Sequence, residues 1–135
     1  FAFSDRLGEV TDNLLQPSVE SALDDIVQTW GFGSTDYGAA FTRFDELAFD
    51  SLRSNSTVII LGDARNNNGD PAHWILKKIY QRCHRVIWLN PESRGMWGVG
   101  DSEMLNYLSA VHQADSCQTI RDLERVVSQL LRSVD

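Results

Sequence analysis

The sequence predicts an α/β domain, a three-layer α/β/α sandwich with helices on both faces of a mostly parallel sheet. Three observations carry this expectation. The runs Thr-Val-Ile-Ile-Leu at 57–61 and Arg-Val-Ile-Trp-Leu at 85–89 are rich in β-branched and aromatic residues and read as strands covered on both faces. Amphipathic helical stretches alternate with them, the pattern that calls for right-handed crossovers and parallel pairing, with 57–61 and 85–89 adjacent in the sheet. Polar loops follow the strands, and in open α/β sheets the carboxyl edge is where a site is built.

Taken in order, residues 1–4 alternate and are aromatic, 5–8 form a polar turn and 9–11 are again extended, which predicts an antiparallel hairpin. Ser18 stands where it can cap a helix whose apolar positions Val19, Ala22, Leu23, Ile26, Val27 and Trp30 recur at helical spacing, ended by Gly31-Phe32-Gly33. A second helical run over 36–53 uses Tyr37, Ala40, Phe41, Phe44, Leu47, Ala48 and Leu52. After strand 57–61, Asp70-Pro71 supplies a capping carboxylate and a first-turn proline for a helix facing the core with Ile75, Leu76, Ile79, Tyr80 and Cys83. Strand 85–89 and a glycine-containing loop over 90–100 lead to a helix capped by Asp101, with Met104, Leu105, Leu108 and Val111 inward. A short strand is expected at 114–118. Thr119 with Asp122 then forms a variant capping box, opening a last helix with the stripe Ile120, Leu123, Val126, Val127, Leu130 and Leu131.

Composition narrows the function classes. The 135 residues, 42% of them apolar, suffice for one domain with a proper core spanning 1–135. A formal charge of -7 argues against binding a phosphate backbone, since lysines cluster only at Lys77-Lys78. The apolar runs fall far short of a membrane span, so the piece is expected to be soluble and cytoplasmic. Cys83 and Cys117 are too few for a zinc ribbon or a disulfide framework and read as reduced and buried. Cys83-His84 is a poor ligand pair because helical neighbours point about 100° apart. His73 and His112 read as surface residues, and Asp24-Asp25 and Asp45-Glu46 as solvated helix faces.

The most informative stretch is 58–71, where strand 58–61 runs into Gly62-Asp63-Ala64-Arg65-Asn66-Asn67-Asn68-Gly69. Asp63 either begins a turn or projects from the sheet's carboxyl edge as a site carboxylate. Upstream, Gly33-Ser34-Thr35-Asp36-Tyr37-Gly38 places the Thr35 hydroxyl at a helix start, where it is a cap or an oxygen donor. Carboxylate and hydroxyl together suit a hard divalent ion, magnesium or manganese. Trp97 either anchors a partner from the 90–100 loop or packs that loop onto the helices.

In order, these elements resemble the von Willebrand factor type A (VWA) domain, a Rossmann-like fold, and more closely its CoxE-like branch. Residues 33–40 are similar to that family's threonine loop, residues 61–67 to its aspartate loop, and 85–92 with 97–102 to the CoxE-like pattern of the last third. The resemblance implies a metal-ion-dependent adhesion site with Thr35 and Asp63 in its second and third positions. The family's first motif, aspartate-x-serine-x-serine, does not occur in these residues. The first strand that carries it is missing from this chain, an upstream segment is expected, and an unfilled slot should separate the opening hairpin from strand 57–61. Ala64 stands where many relatives have glycine, so a positive φ there would be less comfortable.

What the resemblance implies is a binding module and not an enzyme. A partner protein supplies a carboxylate to the bound ion, and a MoxR-type AAA+ ATPase cooperates in maturing or remodelling a target enzyme. Ser34, Asp36, Arg65, Asn66 and Trp97 are the expected partner-binding residues around Thr35 and Asp63. With two protein oxygens, this chain alone should bind a divalent ion weakly or not at all. The alternative is a hydrolase or phosphotransfer domain with Asp63 as nucleophile. It lacks a strand-end lysine, a phosphate-binding glycine loop and a nucleophile elbow.

Overall fold

The computed structural model describes residues 1–133. The elements are β1 (Ala2–Phe3), β2 (Leu7–Gly8), α1 (Thr11–Leu14), α2 (Val19–Trp30), α3 (Tyr37–Ala48), β3 (Thr57–Leu61), α4 (His73–Arg82), β4 (Arg85–Asn90), α5 (Met104–Tyr107), β5 (Gln113–Ser116) and α6 (Ile120–Arg132). Strands β3, β4 and β5 form a parallel sheet in that order, and β1 pairs with β2 in a separate antiparallel hairpin. Val58 lies opposite Val86 and Ile87 opposite Gln113, so 57–61 and 85–89 are neighbours as the sequence predicts. No helix among the described residues is long and apolar enough to cross a membrane.

Strand β4 shows why the layers form. Its residues alternate between faces, Val86 and Trp88 joining the core beneath α3, α4 and α5, and Ile87 and Leu89 joining Val126 of α6 on the other side. All four are buried, which accounts for the continuous apolar run. The larger core adds Tyr37, Phe41, Ile75, Leu76, Ile79, Met104 and Tyr107.

Strand β3 departs from the expectation of cover on both faces. Ile60 is buried, but Ile59 and Leu61 are 47% and 62% exposed, and among the described residues β4 is its only partner. On its free side lies an apolar cleft lined by Phe1, Phe3, Leu7, Phe44, Val58 and Ile60, which separates β3 from the hairpin. The stripe of α2 is likewise bare at Val19, Leu23 and Val27, because the helix packs on α1 and the hairpin and not on the sheet. On α6 the capping box between Thr119 and Asp122 forms, yet only Val126 is fully buried while Ile120 and Leu131 remain outside.

Local chemistry moves several boundaries. The second extended piece is Leu7–Gly8 and not 9–11, which instead leads into α1. Helix α3 ends at Ala48 and continues as a 3-10 turn, Phe49–Ser51. Asp70 caps the amide of Ala72 at 2.9 Å, but Ala72 is left-handed (φ 47) and α4 starts only at His73. Asp101 does not cap a helix, since Arg65 and the Asn67 amide take its oxygens, and α5 is a single turn.

His112 joins β4 to the helical layer. Its Nδ1 accepts the Val86 amide proton at 2.9 Å and its ring stacks on Tyr80, with centroids 4.0 Å apart. An acceptor Nδ1 requires the neutral ring. His112 is exposed overall, as the sequence predicts, and the partial desolvation of its ring, then the charges of His84, Arg85 and Lys77, lowers its pKa below the ordinary 6.5. As pH falls through about 6.5 the unfolded chain gains a proton that the native chain refuses, so stability declines from there down to the native pKa. Denaturant midpoints measured from about pH 8 to pH 5 are expected to show this decline, and His112→Asn, which keeps an acceptor without a titrating proton, to flatten it.

Candidate functional site at the carboxyl edge

The site is built by two loops that the sequence places far apart. The loop after α2 is tied to the hairpin where the Asp36 amide donates to the Ser4 carbonyl (2.9 Å), and Asp36 Oδ1 caps α3 by accepting from the Ala39 amide (2.9 Å). The aspartate loop after β3 is tied to it by Asn67 Nδ2, which donates to the Thr35 carbonyl (3.0 Å), and by Asn66 Oδ1, which accepts from the Tyr37 amide (2.6 Å). Strand β4 holds the loop's base, with Trp88 Nε1 donating to the Gly62 carbonyl (2.8 Å) and Asn90 Nδ2 to the Asp63 carbonyl (3.3 Å).

Thr35 and Asp63 are thereby brought to one hollow, shared with Phe3, Tyr37, Gly62 and Pro91. Asp63 Oδ1 accepts from the Arg65 amide at 2.9 Å and from the Tyr37 hydroxyl at 3.4 Å. Its Oδ2 makes no hydrogen bond among the described residues, and neither does the Thr35 hydroxyl. A free carboxylate oxygen and a free hydroxyl on one rim are hard donors of the kind a divalent ion takes, although about six are needed. Among the described residues no three His, Cys, Asp or Glu side chains gather to supply more. The donor set fits such an ion in kind and falls short in number.

Tyr37, read in the sequence only as a core residue, holds the arrangement from beneath. Its buried hydroxyl accepts from the Ala64 amide (3.1 Å) while donating to Asp63, and burial, with the Asp63 carboxylate close by, keeps the phenol protonated far above its usual range. A Cβ at residue 62 would stand 2.0 Å from that hydroxyl, so only glycine fits there. Ala64 is fully buried with φ 62, the uncomfortable turn that its side chain led one to expect. One signal for Tyr37 was legible: a tyrosine inside an apolar stripe brings a hydroxyl that must find a partner when buried.

The expected partner-binding residues divide. Ser34 is exposed and Asp36 half-buried. Arg65 is committed internally, pairing with both Glu92 oxygens (2.6 and 2.8 Å), Asp101 (2.9 Å) and the Val99 carbonyl (3.0 Å). Those partners raise the Arg65 pKa, and Arg65 holds the Asp101 carboxyl below its ordinary value. Asn66 is buried with both ends of its amide used, Nδ2 donating to the Gly69 carbonyl. Trp97 is 7% exposed and donates to the Glu92 carbonyl (3.2 Å) beneath the Arg94 guanidinium, so it packs its loop down and is no exposed anchor. The exposed apolar groups of that loop are Met96 and Val99.

A family model described as VWA domain containing CoxE-like protein matches residues 1–126. No curated protein and no solved structure matches the chain.

Three substitutions at two positions test the loop's geometry by denaturant unfolding. Tyr37→Phe strands the buried Ala64 amide and should cost about 1–3 kcal/mol. Ala64→Gly should be tolerated within about 1 kcal/mol, because relief of the left-handed strain is offset by the lost methyl and a freer unfolded chain, whereas Ala64→Val should cost about 2–4 kcal/mol.

Proposed function

The chain belongs to the family of VWA domain containing CoxE-like proteins, and on that premise we propose that it is a protein-binding module acting through the hollow between Thr35 and Asp63. The observation that carries the reading is that Asp63 and Thr35 line one hollow while the Asp63 Oδ2 and the Thr35 hydroxyl make no hydrogen bond among the described residues. A magnesium or manganese ion held there would join the Asp63 carboxylate to a carboxylate of the partner, two groups that repel without it. Asp63 provides the charge, Thr35 a neutral oxygen, and the Arg65 amide and Tyr37 hydroxyl fix which oxygen of Asp63 points inward. Ser34 and Asp36 stand at the rim where a partner would touch. The partner we favour is a MoxR-type AAA+ ATPase or the enzyme it remodels, in the cytoplasm, and the module itself carries out no reaction.

Phosphotransfer on Asp63 finds less support. Lys77 and Lys78 are engaged by the Ser109 carbonyl and Asp45, so neither ammonium stands at the hollow to neutralise a phosphoryl group.

The test is manganese titration followed by amide line broadening, which registers weak binding. The chain is expected to bind weakly, with broadening centred on residues 35–36 and 62–65, and more tightly when joined to a segment carrying aspartate-x-serine-x-serine. Asp63→Ala should abolish both effects and weaken capture of the AAA+ partner, at a stability cost of about 1 kcal/mol for the lost Arg65 amide bond. Unchanged ion binding and capture in that variant would refute the adhesion-site mechanism.

A further inference from the structure

The charge cluster on Arg65 does more than fill space between two loops. The Asp63 carboxylate is oriented by the amide of Arg65, so its direction follows wherever the residue 65 backbone is held. That backbone is fixed from both sides. Arg65 forms an antiparallel bridge with Ser102, the Asn66 amide donates to the Asp101 carbonyl (3.2 Å), and the Glu103 amide donates to the Ala64 carbonyl (2.8 Å). Over this ladder the guanidinium reaches Glu92 through two parallel bonds and Asp101 through a third. Between Asp63 and Arg65 sits Ala64, left-handed at a cost of about 1–2 kcal/mol for a residue with a Cβ. A strained turn persists only where its surroundings over-determine it, and without the clamp the turn can relax and swing Asp63 away.

We propose that Arg65 is the positioning residue of this site, holding Asp63 toward Thr35 through Glu92 and Asp101. The proposal rests on the reading of Thr35 and Asp63 as the engaged pair. Glu92 and Asp101, which do not line the hollow, thereby become part of the binding apparatus. Because the cluster is about a quarter exposed, its hold weakens with salt.

The experiment compares Arg65→Met, Arg65→Lys and, as a control for general loss of stability, Ile79→Ala. Manganese alone is the probe, and a crystal structure of Arg65→Met is the second readout. Arg65→Met should displace the turn so that Asp63 no longer accepts from the residue 65 amide, and should weaken manganese-induced broadening about tenfold, the low end for loss of an outer-shell partner. Arg65→Lys, which reaches one carboxylate at a time, should recover part of the lost broadening, and Ile79→Ala should show none of the loss. If Arg65→Met does not fold, Glu92→Gln combined with Asp101→Asn takes its place with the same expected outcomes. A turn that superposes on the wild type, or undiminished broadening, overturns the proposal. Absence of broadening in the wild type even when it is joined to a segment carrying aspartate-x-serine-x-serine instead refutes the functional reading, while the position of Asp63 in the crystal structure still decides the role of Arg65.

Discussion

The burial of Tyr37 is the constraint on which most of the molecule converges. Its ring packs edge-on against Phe3 at 5.0 Å and tilts against Trp88 and Tyr107 at 5.6 and 6.2 Å, so one side chain contacts the hairpin, the central strand and α5. Trp88 and Tyr107 stack on one another at 4.9 Å, and Phe41 closes the cluster edge-on. Aromatic pairs in such geometries add about 0.5–1.5 kcal/mol each beyond the apolar area they bury. The position also sets a demand, since a phenol sunk this deep must spend its hydroxyl on something. It spends it on the aspartate loop, and the packing of the core thereby fixes the geometry of the site.

Among the described residues the sheet has β4 at its centre and two edge strands, β3 and β5, each paired only with β4. Strand β4 has strands on both edges and helices on both faces, which is why its side chains are the most completely buried of any strand. Among the described residues, strand β3 has one strand partner and one covered face, and the apolar cleft beside it is lined also by Phe1, Phe3 and Leu7 of the hairpin region. Ile59 and Leu61 on its bare face, with Val127 and Leu131 of α6 nearby, expose apolar area of a kind that folded domains usually cover. The hollow with Thr35 and Asp63 stands at the carboxyl end of this same open strand. Whatever completes the sheet would therefore also border the site.

The aspartate loop is stabilised more by directed bonds than by apolar contact. Its carbonyls are held by Trp88 and Asn90, its amides by Tyr37 and Asp101, and its side chains by Glu92, Gly69 and Thr35. Such a network holds Ala64, Asn67 and Asn68 at positive φ within five residues, and Ala72, at the end of the same connection, is held likewise by Asp70. Asparagine tolerates that region and alanine does not, so Ala64 is where the network is most needed.

The alternation of strands and helices, both long strands and their adjacency were determined by the sequence itself, because period and β-branching report local preference and burial together. The capping bonds of Ser18 and Thr119 were legible for the same reason, each being a contact within one turn of chain, whereas α3 is capped by Asp36 and not by Thr35, the cap its sequence offered. The approach of Thr35 to Asp63 was legible only through resemblance to a family, since no spacing rule joins residues 28 positions apart. What the tertiary structure alone decided was the use of side chains whose partners lie far along the chain. Arg65 looks like a free surface charge until Glu92 and Asp101 are folded onto it, and Trp97 looks like an anchor until its loop closes. Asp101 reads as a helix cap until Arg65 claims it. Local sequence records what a residue prefers, and only the closed fold determines which distant group satisfies it.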